Sequence, residues 1–188
     1  VAMRWFGERG CELIILETGM GGRLDATTAV PADVCAITPI GMDHTQWLGE
    51  TLGKIAAEKA GIFLEGVPAF SSPQEPEARE TLEKEANERR TPLRFIGEPL
   101  EGYGIALAGA HQKWNAALAL AALHSLGLPL GYESVAEGLA KVSWPGRFER
   151  ILSGGVEVIL DGAHNPHAAK VLRETWLAEK GAGIGALV

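Results

Sequence analysis

No apolar run in the 188 residues approaches the roughly 20 that a membrane-crossing helix needs, and the opening Val1-Ala2-Met3-Arg4-Trp5-Phe6 does not read as a charged-then-apolar leader. The expected location is the cytoplasm, with no membrane partner. Positive charge is scarce too: 17 Lys and Arg against 24 Asp and Glu leave a net charge of −7, the wrong sign for a nucleic-acid footprint. An anionic ligand would have to be met by local cations. Only two cysteines occur, and Cys11 and Cys35 both adjoin apolar strand-like runs, so they read as reduced core residues rather than a disulfide or metal pair. Two phosphate-binding signatures are missing as well. No Gly-x-x-x-x-Gly-Lys-[Ser/Thr] is present, and Gly19-Met20-Gly21-Gly22-Arg23-Leu24 lacks the third glycine of a dinucleotide fingerprint and soon meets Pro31.

What is present is an ordinary globular composition, 46% apolar and 22% charged, long enough for one substantial core. Short β-branched runs at 12–16, 34–40, 67–71, 93–96, 104–107 and 156–160 alternate with helical patterns at 51–60, 74–90, 111–126, 133–142 and 166–180. That order predicts an α/β fold with a mostly parallel sheet flanked by helices. The Ala/Leu-rich helix over 111–126 is expected to be largely buried, stopped by Gly127 and Pro129, while the charged 74–90 segment reads as a solvated outer helix. Ser143-Trp144-Pro145-Gly146 interrupts the pattern before a β-rich segment. The expected division is a first domain over 1–143, a linker at 144–147, and the start of a second α/β, Rossmann-like domain over 148–188. The first residues already look helical and Gly185-Ala186-Leu187-Val188 looks like a strand just starting, so the sequence reads as a piece of a longer protein.

Three polar clusters fall at predicted strand ends: Glu17 after 13–16, Asp43 and His44 after the run ending at Ile40, and Asp161 after 156–160. In open parallel sheets the ligand crevice lies outside the carboxyl ends of the strands, so these groups are candidates for one site. Gly19, Gly21 and Gly22 either make a tight turn or form a ligand loop, and Arg23 and Asp25 beside them favour the loop. Lys59 follows Leu52, Ile55 and Ala56 by seven, four and three, which points a lysine along an apolar helix face. It is either a cation favouring the helix C-terminus or a desolvated amine able to take up carbon dioxide as a carbamate, an oxygen ligand for magnesium. His111-Gln112-Lys113-Trp114-Asn115 opens a helix, with the amide of Asn115 free to meet a base or phosphate or simply to pack. In Asp161-Gly162-Ala163-His164-Asn165-Pro166, capping accounts for Asn165 and Pro166 but not for Asp161 or His164.

Taken in order, Leu16-Glu17-Thr18-Gly19-Met20-Gly21-Gly22-Arg23-Leu24-Asp25-Ala26-Thr27, Ile40-Gly41-Met42-Asp43-His44-Thr45, Glu58-Lys59-Ala60-Gly61-Ile62, His111-Gln112 with Asn115, Trp144-Pro145-Gly146-Arg147-Phe148-Glu149 and the 161–166 run form six ordered motifs. Together they resemble folylpolyglutamate synthase / dihydrofolate synthase, a branch of the Mur ligase superfamily. The resemblance implies an ATP-dependent amide ligase that phosphorylates a folate or dihydropteroate carboxylate and lets L-glutamate displace the phosphate. It implies magnesium on Glu17 and His44, a carbamylated Lys59 beside the metal, ATP contacts from Asn115, Arg147 and Asp161, and His164 close to the phosphates. It further implies substrate contacts from Arg23, Leu24, Asp25 and Ala26, and a monomer, leaving any monovalent cation open. The family has asparagine after Asp-Ala-Thr where this chain has Thr28, so a hydrogen bond in that loop is expected to differ. A peptidoglycan-precursor Mur ligase is the nearest rival, disfavoured by the 23–27 run. A non-catalytic nucleotide- or metal-binding module is the rival outside the enzymes, and joint retention of Glu17, His44, Lys59, Arg147 and Asp161 argues against it.

The resemblance also puts the phosphate loop and a further magnesium ligand before Val1, and most of the glutamate-binding domain after Val188. The 188 residues alone should therefore show no ATP-dependent ligation, measured as ADP release with folate, L-glutamate and magnesium present; a measurable rate would overturn that expectation.

Overall fold

Helix boundaries in this chain follow from caps and breakers in the sequence. In the computed structural model, which describes residues 1–180, α1 covers Ala2–Glu8, α2 Thr45–Leu48, α3 Leu52–Lys59, α4 Pro76–Arg89, α5 His111–Ser125, α6 Tyr132–Lys141 and α7 Pro166–Lys180. Thr51 caps α3 by accepting from the Lys54 N–H at 3.2 Å. Pro76 opens α4 at a position where its missing N–H costs nothing, and Arg90 ends it in the left-handed region at φ 55°. Asn165 caps α7, its Oδ1 accepting from Ala168 N–H at 2.8 Å.

Three short strands, β1 Cys35–Ile37, β2 Ala69–Ser71 and β3 Leu93–Phe95, form a parallel sheet in that order. Cys35 faces Ala69 and Ile37 faces Ser71, while Ala69 and Ser71 face Leu93 and Phe95 on the other side. Ala78, Leu82 and Ala86 recur every four residues along α4 and pack with Ile55 and Ala56 of α3, joining Cys35, Ile37, Ile40, Phe63 and Ala69 in one apolar cluster. Burial pushes the Cys35 thiol up to about 11, and its Sγ–H donates to Ile62 O at 3.2 Å. The second sheet is a hairpin of β4 Glu149–Ser153 and β5 Val156–Leu160, antiparallel with Ser153 opposite Val156. Its two-residue turn, Gly154-Gly155, has φ of 59° and 80°, a conformation that glycine adopts without strain.

Several expectations need correction. The 12–16 run pairs with nothing among the described residues: a strand is defined by its partner, and Leu13, Ile15 and Leu16 lie exposed. The 104–107 run is also unpaired, held instead by Ala106 N–H donating to Leu139 O of α6 at 2.9 Å. The 156–160 run is a strand, but it is antiparallel to β4, not a member of the parallel sheet. Only Gln112, Ala116 and Leu118 of α5 are buried, so this Ala/Leu-rich helix is mostly half-exposed rather than enclosed. Cys11 is exposed, not a core residue. The strand expected to begin at 185–188 lies outside the described residues. Among the described residues no helix is long and apolar enough to cross a membrane.

Since Leu82 is wholly buried and Leu152 is 78% exposed, Leu82→Ala should lower stability by about 3 kcal/mol and Leu152→Ala by less than about 0.5 kcal/mol. Urea midpoints at unchanged m-value would check the contrast.

Candidate active site

The last carbonyls of α3 have no partner within the helix, and the glycine-rich loop supplies one. Arg23 N–H donates to Glu58 O at 3.0 Å, its guanidinium donates to Ala57 O at 3.2 Å, and the same group reaches the carboxylates of Glu58 at 3.2 Å and Glu85 at 3.7 Å. A Cβ on Gly22 would sit 2.7 Å from Lys59 O, and one on Gly61 would run into the Arg23 backbone. The glycines therefore let the loop lie flat on the end of α3, next to Lys59. They do not form a phosphate cradle here. Arg23, read from sequence as a substrate contact, has its donors directed at α3 and α4.

Asp25 holds the loop's shape. One carboxylate oxygen accepts from Gly19 and Met20 N–H at 3.0 and 3.1 Å, and the other from Thr27 N–H and Oγ1–H at 2.9 and 2.7 Å. These donors, Thr27 foremost, hold the Asp25 carboxyl down at about 2. Thr28, the residue that departs from the family pattern, donates its hydroxyl to Asp25 O at 2.7 Å. Leu24, on the far side of the loop, is 92% exposed, and Ala26 is exposed as well. Glu17 is exposed, and among the described residues no hydrogen bond or ion pair engages its carboxylate.

A second loop leaves the end of β1. Gln74 stands where another strand would pair: its Oε1 accepts from Ile40 N–H at 2.8 Å and its Nε2–H donates to Thr38 O at 2.9 Å. Beyond that anchor, His44 takes φ 48° and donates its N–H to Asp43 Oδ1 at 2.8 Å. Asp43 Oδ2 accepts from Asn165 Nδ2 at 3.0 Å and faces the rings of His164 at 3.4 Å and His44 at 3.9 Å. The Asn165 amide is the main reason the Asp43 carboxyl lies below its ordinary range. His164 donates Nδ1–H to Gly162 O at 2.7 Å, which leaves Nε2 turned toward Asp43.

The third group surrounds the junction before β4. Asp161 accepts from Phe148 N–H at 2.8 Å and Ala163 N–H at 2.9 Å, closing the 146–163 turn, with Gly162 N–H donating to Gly146 O at 2.8 Å. Arg147 is exposed, and among the described residues no carboxylate lies within ion-pair distance of it. Beside it runs a groove of about 570 Å³ lined by Tyr103, Gly109, Lys113, Trp144, Arg147 and Phe148. Burial pushes the His111 imidazole down, against the pull of Asp161 and with the push of Arg147. Asn115 donates Nδ2–H to Gln112 Oε1 at 3.0 Å, and Gln112 donates in turn to His111 Nε2 at 3.1 Å.

The structure thus gathers Asp43, His44, His164 and Asn165, and separately Arg147 with Asp161. Lys59 is half-buried at the end of α3, below the glycine loop. Among the described residues no group of three or more His, Cys, Asp or Glu is arranged to hold a metal. That is compatible with magnesium, which keeps several waters and typically takes one or two protein carboxylates plus phosphate oxygens. The uncommitted carboxylate of Glu17 suits it; the imidazole of His44 is a softer donor. Sequence reading missed Gln74 and Glu85. Neither stood out in the sequence: Gln74 read as the start of the charged helix that follows it, and Glu85 as any charge on a solvated helix.

No family model matches the chain. Among curated proteins it is similar to the dihydrofolate synthase/folylpolyglutamate synthase of Escherichia coli, with 40% identity over 186 residues, covering 91% of this chain and 43% of that protein. Among solved structures it is similar to a Mycobacterium tuberculosis folylpolyglutamate synthase complexed with ADP, at 32% identity and TM-score 0.83, covering 95% of this chain and 46% of that one. It is similar as well to a folylpolyglutamate synthase in complex with AMPPCP and folate, at 25% identity and TM-score 0.85, covering 93% and 49%. The chain spans less than half the length of each of these three relatives.

Asp25→Asn replaces an acceptor of four hydrogen bonds by a group that can serve only one side, and should cost about 1–2 kcal/mol while exposing the Gly19, Met20 and Thr27 amides to hydrogen exchange. The wild-type loop should keep its protection above the ordinary carboxylate range. Because the folded carboxyl titrates at about 2, below its unfolded value, that protection should fade as pH drops from about 4 toward 2.

Proposed function

The chain belongs to the folylpolyglutamate synthase / dihydrofolate synthase family, and on that premise we propose that it carries part of the active site of an ATP-dependent ligase joining L-glutamate to a folate or to dihydropteroate. The observation that carries the proposal is the meeting of Asp43 and His44 with His164 and Asn165, across 122 residues of chain, in two of the family's motifs. Similarity to these synthases favours the folate reading over a peptidoglycan-precursor ligase.

In this reading the substrate carboxylate takes the γ-phosphoryl group of ATP, ADP leaves, and the glutamate amine then displaces phosphate from the acyl phosphate to form the amide. Such chemistry rests on positioning and charge neutralisation. Glu17 and His44 would hold magnesium, which supplies neutralisation of the phosphoryl oxygens when bound. Arg147, a cation with no carboxylate partner among the described residues, suits a phosphate. Asp161, held by two backbone N–H groups, and Asn115 would contact the nucleotide, and His164 would lie near its phosphates. Lys59 would act as a carbamate, formed when its neutral amine takes up carbon dioxide and loses a proton. Leu24, Asp25 and Ala26 would meet the pterin-bearing substrate, with Arg23 fastening their loop to α3. The proposed division is 1–143 for an ATP-binding domain, 144–147 for a linker and 148–188 for the start of the ligase domain, in a cytoplasmic monomer.

In the whole protein, ADP release should require both L-glutamate and a folate or dihydropteroate. Arg147→Ala should lower kcat/KM for ATP by about 100-fold, and Glu17→Gln should raise the magnesium concentration needed for half-maximal rate by about 10-fold. ADP release that ignores glutamate, or an Arg147→Ala enzyme indistinguishable from wild type, would sink the reading.

A further inference from the structure

Capping alone accounts for Asn165 in the sequence, yet in the structure its carboxamide is used at both ends. Oδ1 accepts from Ala168 N–H at 2.8 Å and starts α7, while Nδ2–H donates to Asp43 Oδ2 at 3.0 Å. Asp43 in turn receives His44 N–H on its other oxygen at 2.8 Å. One amide therefore connects the first turn of α7 to the backbone that carries His44. Packing follows the same line: a Cβ on Gly41 would sit 2.8 Å from His167 Cβ, so the loop lies against α7 closely enough to exclude a methyl group. Gln74 fixes the opposite, β1 side of the loop. The short stretch bearing Asp43 and His44 is thus held between two carboxamides from separate parts of the chain.

We propose that Asn165 is a positioning residue, whose carboxamide sets the Asp43–His44 loop against the start of α7 and so fixes the two parts of the site relative to one another. The proposal rests on the functional reading above for its catalytic consequence, but not for the bridge itself. Substituted and exchanged partners separate the bridge from the cap. Aspartate is as good an N-cap as asparagine, so Asn165→Asp keeps the bond to Ala168 while setting two carboxylates against each other. In the double variant Asp43→Asn with Asn165→Asp, donor and acceptor trade places: residue 43 donates to residue 165 and still accepts from His44 N–H, and residue 165 still accepts from Ala168 N–H.

Hydrogen exchange on the whole protein, without substrates, should show the 42–48 amides exchanging about tenfold faster in N165D, near-wild-type exchange in the double variant, and unchanged protection in α7 throughout. Ligation kinetics should follow in the single variant, with kcat/KM for magnesium–ATP down about tenfold in N165D; the double variant also removes the carboxylate that faces His44 and His164, so its rescue is read by exchange. A double variant no better than N165D in exchange, or N165D indistinguishable from wild type, would overturn the bridge. Exchange that behaves as expected beside unchanged kinetics would overturn the positioning role. A wild-type protein that does not ligate glutamate would overturn the functional reading instead, and the exchange pattern would still decide the bridge.

Discussion

A short carboxylate that collects N–H groups shapes each of the three loops that carry the candidate site residues. Asp25 gathers Gly19, Met20 and Thr27; Asp43 gathers His44 and the Asn165 amide; Asp161 gathers Phe148 and Ala163. Aspartate is suited to this because its short side chain keeps the carboxylate close to the backbone and offers two oxygens to donors that point in different directions. Loop backbone cannot satisfy itself through a ladder, so without such an acceptor these turns would sample many conformations. Next to each organising aspartate stand residues that lie exposed: Leu24 and Ala26 beside Asp25, His44 beside Asp43, Arg147 and His164 near Asp161. The division of labour explains why Asp25, in the middle of a motif that looks chemical, spends both oxygens internally.

The helices were legible because their determinants are local. Thr51, Pro76, Asn165 and Gly127 mark ends within a few residues of where they fall, and the expected 166–180 helix has the observed bounds. Strands depend on a partner elsewhere in the chain, and that is where sequence reading went astray. Leu13, Ile14, Ile15 and Leu16 have as much β character as the residues of β2, but no described segment lies alongside to pair with them. The antiparallel turn of β5 did have a local sign, Gly154-Gly155 with positive φ at both positions, which outweighs the general expectation of a parallel α/β order.

The candidate site residues divide along the same line. His44, His164, Arg147 and Asp161 stand out by type and by place after a strand or linker. The bond between Asn165 and Asp43 could not be seen that way, since 122 residues separate them and capping already gave Asn165 a complete local role. Gln74 was hidden for a related reason: a glutamine just before a charged helix looks like part of that helix, whereas its carboxamide continues the sheet where β2 ends, pairing with Thr38 O and Ile40 N–H as a strand would. Side chains that act as substitute backbone leave no periodic trace.

Lys59 lies directly below one of these loops. A lysine in the last turn of a helix ordinarily serves the free carbonyls and the negative end of the dipole, and spacing alone would assign it that task. In this protein Arg23 already does so, from outside the helix: its N–H takes Glu58 O, its guanidinium takes Ala57 O, and its positive charge sits beside Glu58 and Glu85. Two glycines exist at the contact, Gly22 and Gly61, where a side chain would collide with the opposing backbone. With the end of α3 served by the loop, no hydrogen bond or ion pair among the described residues engages the amine of Lys59, a half-buried residue. The same loop carries the exposed Leu24 and Ala26, so fastening it to α3 also sets the distance between the proposed substrate wall and Lys59 through a rigid, charge-paired contact rather than through flexible chain.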